Sequence, residues 1–392
     1  MLEHLPFLLV GGILLIGFFG LGLTGYKTKL PPVLIYIIFG LLLRGIFIDQ
    51  AEVLSHAAEI GIVLLFFLLG LEFPLNKMMD ISKRVWAAGI LDIILNLGIG
   101  SILALLFGMG WVEALILGAV AYASSSSITI KLLEDKKRLA APESEFILAL
   151  LIFEDLVAPV LVSLLASIYL GVAISSQGLG LLLFKTVVLI LGAVVIGYYG
   201  FSKIGNFIEQ HHETDFMPLF AVGIALAYAG VAIVLGLSEV LGAFLAGVML
   251  SETGQSQELD HIILPIRNLF LPFFFFWFGT TISLEAGVPM VPLLLILTLW
   301  SIAGKILTGF FGGRLFGLTP ASSLRSGFSL VQRGEFSVII AAVASVQIRA
   351  FSGVYIVLTA FIGMFFFANA SQWSKRLIGR FAVAKGQVVE NK

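Results

Sequence analysis

Glu154 and Asp155 stand side by side in the apolar run LALLIFEDLVAPVLVSLL, with Pro159 one turn further on. Placing an ionisable group in a bilayer core costs roughly 2.5–3.5 kcal/mol on insertion scales, so carboxylates retained there are functional candidates. Adjacent helical residues point about 100° apart. One carboxylate can therefore face a cavity while the other faces a neighbouring helix. The blander reading is a pair neutralised or salt-bridged inside a bundle. A lysine, Lys305, lies in the apolar run LTLWSIAGKILTGFF. A lone ammonium at that depth needs a carboxylate, and Glu154 or Asp155 is the expected partner. Long apolar stretches on both sides of Lys305 make snorkelling to an interface poor.

Two further segments carry polar groups into apolar surroundings: AYASSSSITIKLL, with Ser124, Ser125, Ser126, Ser127 and Thr129, and GFSLVQRGEFSVII, with Arg333 and Glu335 around Gly334. Consecutive serines, and glycine between two charges, are weak helix formers rich in local hydrogen-bonding groups. Both segments read as breaks in membrane helices that expose half-helix ends and backbone carbonyls to a cation. Close helix packing through small residues is the alternative for the serines. Arg333 and Glu335 are expected to compensate one another and the helix ends rather than to bind the ion.

The elements that must hold these groups are transmembrane helices. Of the 392 residues, 59% are hydrophobic and 12% charged, against about 25% charged in a soluble chain. Mean hydropathy is +1.08. Apolar runs between charge clusters give thirteen candidate spans, near 7–24, 32–48, 54–72, 85–108, 112–132, 145–170, 179–201, 217–236, 239–251, 264–284, 289–312, 321–347 and 353–372. The expected fold is an all-α polytopic membrane protein. Residues 1–375 form the transmembrane domain and 376–392 a cytoplasmic tail.

Lys27, Lys29, Lys77, Lys83, Arg84, Lys136, Lys137, Arg138 and Arg314 fall in loops of one parity, and Lys375, Arg376 and Arg380 follow the last span. The positive-inside rule then places the amino terminus outside and the carboxyl terminus in the cytoplasm. The first apolar run has no basic n-region or evident cleavage site and reads as a retained helix. Net charge is −1, so no basic field recruits nucleic acid, and the absence of cysteine removes disulfides and thiolate chemistry. No cofactor is implied. The expected partners are small ions, the lipid bilayer and other membrane subunits.

An internal repeat ties the polar segments together. Gly70 in LFFLLGLEFPL matches Gly279 in FFFFWFGTTISL at an offset of 209 residues. The same offset pairs Gly100 with Gly309, Leu106–Gly108 with Leu315–Gly317, Leu115 with Leu324 and Gly118 with Gly327. It places Asn96 opposite Lys305, Ser124 opposite Arg333 and Ser126 opposite Glu335. Spans 3 to 5 thus correspond to spans 10 to 12. A shift of seven spans reverses direction across the membrane, so the repeats, about 30–170 and 239–372, are inverted.

Several features are set aside. Gly20–Gly25 fits GxGxxG but ends an apolar span with no strand before it. Glu72, Asp92, Glu239 and Arg325 read as capped or paired structural charges. His211 and His212 lie in a loop where a pH-sensing role competes with simple solvation.

The segments PPVLIYIIFGLLLRG, LLFFLLGLEF, SSSSITIKLLED, FED, LGAFLAGVMLSET and QRGEFSVII together resemble the Kef-type branch of the monovalent cation:proton antiporters, which share the sodium/proton antiporter fold. The resemblance covers essentially the whole chain. It implies a homodimer with a dimer-forming panel, a six-helix core and two crossed unwound helices at the ion site. It also implies an aspartate at Asp155 that binds cation and proton in turn, and a basic partner at Lys305. Relatives often carry Asp, Gln or Asn where this chain has Glu154. Many Kef-type proteins carry a cytoplasmic regulatory domain; regulation of this chain would take a separate cytoplasmic subunit, or the sequence is a piece of a longer one.

The function expected is secondary antiport of K⁺ or Na⁺ against protons by alternating access in the cell's inner membrane. Asp155, Glu154, Ser125, Ser126 and Thr129 are the expected ion and proton site, with the cation at Asp155. Lys305, Arg333 and Glu335 compensate charge. The competing readings are a cation channel, or the ion-conducting subunit of a regulated potassium efflux system. An intramembrane protease fits poorly, because its two carboxylates would have to face each other from different helices.

Overall fold

The computed structural model describes residues 7–28, 30–47, 51–72, 85–169, 171, 176–201, 208, 210, 216–285 and 287–384. Lys29, Lys77, Lys83, Arg84, His211 and His212 lie outside the described residues.

Among the described residues the chain forms sixteen helices. The first half comprises α1 (Phe7–Thr28), α2 (Pro32–Leu42), α3 (Arg44–Phe47), α4 (Ala51–Leu71), α5 (Val85–Leu106), α6 (Trp111–Tyr122), α7 (Ser126–Asp135) and α8 (Pro142–Tyr169). The second half comprises α9 (Ser176–Val195), α10 (Met217–Val234), α11 (Glu239–Ser251), α12 (Ser256–Thr281), α13 (Val291–Phe316), α14 (Pro320–Phe328), α15 (Glu335–Ala342) and α16 (Val346–Ala384). Nine helices among the described residues are long and apolar enough to cross a bilayer, and three shorter ones, α2, α6 and α11, are equally apolar. Helix covers all thirteen apolar runs, but not always as one piece. The run 32–48 bends at Leu43 between α2 and α3, while 112–132 and 321–347 are each two half-helices separated by extended backbone. The last helix continues to Ala384, past the point where the tail was placed.

Two compact units are built from interleaved segments. The first comprises Met1–Met79, Val157–Ala286 and Ala342–Ala350. Here α4 packs on α11 and α12, and α2 on α12. The contacts are glycine-mediated: a Cβ on Gly70 would strike the carbonyl of Phe244, one on Gly247 that of Phe67, one on Gly40 that of Phe276 and one on Gly279 that of Ile37. Lipid tails give apolar helices little reason to associate, so close backbone approach through small residues supplies the attraction instead.

The second unit comprises Asp80–Leu156, Gly287–Ala341 and Phe351–Lys392, and it holds every candidate site residue. Two helical hairpins in it, α5–α6 and α13–α14, pack through matching positions. Gly118 lies against Gly100 and the carbonyl of Leu97, while Gly327 lies against Gly309 and the carbonyl of Ile306. Gly108 (φ +82°) and Gly317 (φ +103°) end α5 and α13 in the left-handed region, which glycine enters without strain. Each member of these pairs is displaced from its counterpart by the 209 residues seen in the sequence.

Candidate ion-binding site

The polar segments meet where the two interrupted helices cross. α6 ends at Tyr122, Ala123 and Ser125 are extended, and α7 begins under a cap in which Ser125 Oγ accepts from the Ile128 N–H at 3.3 Å. The opposing break runs between α14 and α15. Ser124 and Arg333 form an antiparallel bridge, Ser125 N donates to Gln332 O at 3.0 Å, and Ser124 Oγ donates to Leu330 O at 3.2 Å. Gly334 must be glycine, since a Cβ there would collide with the Ser125 side chain. Broken helices leave carbonyls and N–H groups without intrahelical partners, and burial demands that they find others.

Arg333 and Glu335 serve those ends separately. The Arg333 guanidinium donates to the carbonyls of Ala121 (2.8 Å), Leu330 (3.3 Å) and Val331 (3.0 Å), near the C-terminal ends of α6 and α14. Glu335 accepts from Ser127 N (3.2 Å), Ser127 Oγ (3.0 Å) and Ser125 Oγ (2.8 Å) at the start of α7. Each charge opposes the partial charge of the helix end it meets. No ion pair joins the two among the described residues, so of the expected compensation the mutual part is corrected and the part owed to the helix ends remains: Arg333, in extended chain, meets the end of α6, and Glu335, the first residue of α15, meets the start of α7. Replacing Glu335 by Ala should then lower stability by about 1–3 kcal/mol, chiefly by taking the acceptor from the buried Ser125 hydroxyl, with the Ser127 N–H and hydroxyl losing theirs nearer the surface. A thermal-shift measurement checks this, and an unchanged melting temperature would contradict the assignment.

The carboxylates of α8 face this crossing and differ in their partners. Ser126 Oγ lies 2.9 and 2.8 Å from the two Asp155 oxygens, so the first residue of α7 donates to the carboxylate. Glu154 accepts from Ser124 N at 2.5 Å and from Ser124 Oγ at 3.2 Å, and its Oε1 is 3.0 Å from Lys305 Nζ. Glu154 is 1% exposed and Asp155 6%, which leaves Asp155 the more accessible of the two. Lys305 is fully buried over the Tyr122 ring and donates to both oxygens of Asp92 at 2.9 and 2.8 Å. Asn96 Nδ2 completes the group, donating to Asp92 Oδ1 at 2.8 Å and Thr308 Oγ1 at 3.3 Å.

Thus Lys305 takes Glu154 as one of the two expected partners, and Asp92, set aside as a structural charge, as another. The signal for Asp92 was present in the sequence: it precedes Asn96 by four residues on one helix, and Asn96 is the repeat counterpart of Lys305. Thr129 is taken up by the break itself: it donates to Ser125 O at 2.6 Å and accepts from Gln332 Nε2, a buried residue that sequence reasoning missed.

The sodium/hydrogen exchanger transmembrane family matches residues 12–371. This chain belongs to that family. It is a multi-pass monovalent cation/proton antiporter, and the channel and protease readings give way. The chain is 47% identical over 378 residues to the ammonium/H⁺ antiporter subunit AmhT of Alkalihalophilus pseudofirmus, covering 96% of this chain and 97% of that protein. It is 30% identical over 380 residues to the K⁺/H⁺ antiporter subunit KhtU of Bacillus subtilis, covering 92% of each. In fold it is similar to the sodium proton antiporter MjNhaP1 from Methanocaldococcus jannaschii at pH 8, with a TM-score of 0.70 at 16% identity, covering 94% of this chain and 98% of that one.

One further charge cluster of the antiporter sits at the start of α8. Glu143, fully buried, accepts from Arg138 Nη2 at 2.9 Å and is ion-paired with Arg325, whose Nε lies 2.9 Å away; Arg138 also donates to Ser329 Oγ at 3.1 Å. Burial draws the Arg138 guanidinium below its ordinary value, and its hydrogen bond and charge attraction to Glu143 oppose that shift. Arg325 is thereby a paired charge. The cluster ties the first turn of the carboxylate helix to α14 and to the chain between α7 and α8.

Proposed function

We propose that the antiporter exchanges ammonium or potassium for protons at Asp155 by alternating access. The observation that carries this reading is the position of Asp155: midway along α8, with both oxygens on the Ser126 hydroxyl at the start of a half-helix. A proton and a dehydrated cation cannot occupy one carboxylate together, so binding of either excludes the other and exchange follows. Ser125 and Ser126 flank the cation. Glu154, Lys305, Arg333 and Glu335 set the field around it.

The names of AmhT and KhtU support ammonium and potassium as cargo. The two ions are close in size, and a pocket of hydroxyl and carboxylate oxygens accepts both. Both relatives are called subunits, which supports a separate partner polypeptide for this chain as well. The repeated glycine contacts and the Ser124–Arg333 bridge support two inverted repeats whose unwound helices cross at the site, within thirteen spans. A homodimer in the cell's inner membrane, amino terminus outside, completes the reading.

Everted vesicles acidified by respiration test it. Adding K⁺ or NH₄⁺ should dissipate the pH gradient, after subtraction of NH₃ permeation in vesicles lacking the protein, with Na⁺ less effective. Dissipation by Na⁺ alone would overturn the cargo assignment.

A further inference from the structure

We infer that the side-chain carbonyl of Gln332 is a second cation ligand, about one turn of α7 away from the Asp155 site, and that it sets a preference for large, easily dehydrated monovalent cations. This deepens the proposed exchange at Asp155 and rests on it.

Gln332 lies in the break between α14 and α15 and is fully buried. Its backbone carbonyl accepts from Ser125 N at 3.0 Å. Its Nε2 donates to Ser329 O at 2.8 Å and to Thr129 Oγ1. Behind it α16 comes close at Gly363, where a Cβ would strike the Gln332 N, Cα and Cβ. Because Ser329 O can only accept, the amide has one orientation: its nitrogen faces Ser329 and its oxygen is turned away. That oxygen, Oε1, meets no donor among the described residues. Native proteins keep few buried acceptors in this condition, since each is costly. Here the acceptor is also held rigid by the contacts of its own amide nitrogen.

The surroundings suit a cation. Thr129 follows Ser126 by three residues on α7, so the two side chains are neighbours about 5 Å apart on one flank of the helix. Ser126 holds both oxygens of Asp155. The Gln332 amide therefore lies about one helical turn beyond the carrier, on the side of the crossing where Arg138 meets Ser329. Glu335 adds a full negative charge to the same turn through Ser125 and Ser127. A cation moving from Asp155 in this direction trades the carboxylate for water or for an oxygen already in place. A fixed amide oxygen substitutes for a hydration water with little further loss of freedom. Its dipole exerts a weaker field than a second carboxylate would. K⁺ and NH₄⁺ give up water more readily than Na⁺, so a neutral oxygen at this point favours them. Ammonium can in addition donate an N–H to Oε1.

The test compares the wild type, Gln332→Met and Gln332→Glu in proteoliposomes, where proton flux is driven by K⁺, NH₄⁺ or Na⁺, and measures melting temperatures in detergent with and without K⁺. Gln332→Met keeps the volume and removes the oxygen. Its apparent KM for K⁺ and NH₄⁺ should rise by about tenfold or more, as expected when a charged group loses one hydrogen bond, while its maximal rate falls by much less. K⁺ should also raise its melting temperature less than it raises that of the wild type. Gln332→Glu puts a full charge where the dipole stood and should shift the preference toward Na⁺. A glutamine that only braces the break, or whose oxygen is met by water, would lower the melting temperature and the maximal rate and leave the KM values and the ion preference unchanged; that result overturns the proposal. If Gln332→Met does not fold, the ion preference of Gln332→Glu decides, and failure of both to fold assigns Gln332 to structure alone and overturns it too. Absence of K⁺ and NH₄⁺ exchange by the wild type would instead overturn the function on which the inference rests.

Discussion

Asp155→Asn reduces cation-driven proton flux to the background of empty vesicles while the protein remains folded and inserted. The amide keeps the volume of the carboxylate and can still hydrogen-bond Ser126, so the crossing of the broken helices survives. It cannot take up and release a proton, and it offers a cation a dipole where a full charge stood. Glu154→Gln is the matching control. Its position is fixed by Ser124 and Lys305, so the amide should weaken the packing yet leave exchange measurable. Both variants are read in the same liposomes, with size-exclusion profiles to establish folding. Exchange near the wild-type rate in Asp155→Asn, or its loss in Glu154→Gln alone, would reverse the roles given to the two carboxylates.

Lys305→Gln carries the largest expected loss of stability, about 3–5 kcal/mol, as when one member of a buried ion pair is removed. The substitution leaves Asp92 and Glu154, both buried, close together with neither charge offset. Thermal denaturation in detergent, monitored beside the wild type, checks the size of the effect. An unchanged melting temperature would show that the ammonium adds little to stability and would contradict the assignment. Combining Lys305→Gln with Asp92→Asn should recover part of the loss, since coupled partners are not additive.

Much of this arrangement was legible in the sequence, and the reasons are specific. Charged and polar residues are rare in these spans, so Glu154, Asp155 and Lys305 stood out by cost alone. The 209-residue offset placed Ser124 opposite Arg333, and in the structure those two residues form the antiparallel bridge at the crossing. The offset also set Asn96 against Lys305, and a Cβ on Gly304, beside that lysine, would strike the Asn96 amide. What could not be read was which groups pair. Arg333 and Glu335 are two apart and of opposite sign, so proximity suggested a mutual pair; an extended break turns each to a different helix end. Asp92 was passed over because a lone carboxylate in an apolar run looks the same whether it caps a turn or holds a lysine 213 residues away. Gln332 carries no charge, so nothing in its composition announced that it would bridge the break to Thr129.

The shortness of α11 has a consequence for how the protein is made. Its 13 residues span about 20 Å at 1.5 Å per residue, less than the hydrocarbon core of about 30 Å. Val240 to Ser251 are all buried, and Gly247 is pressed against Gly70 of α4, a helix synthesised far earlier. Such a segment presents little surface that lipid could solvate at full depth, so it has no stable place in the bilayer by itself. It must wait at the translocon, or leave it together with its neighbours, until α4 is there to receive it. The order of biogenesis is thus written into a helix length: the first part of the chain has to be in the membrane, and unoccupied along one glycine-lined flank, before this later segment can settle.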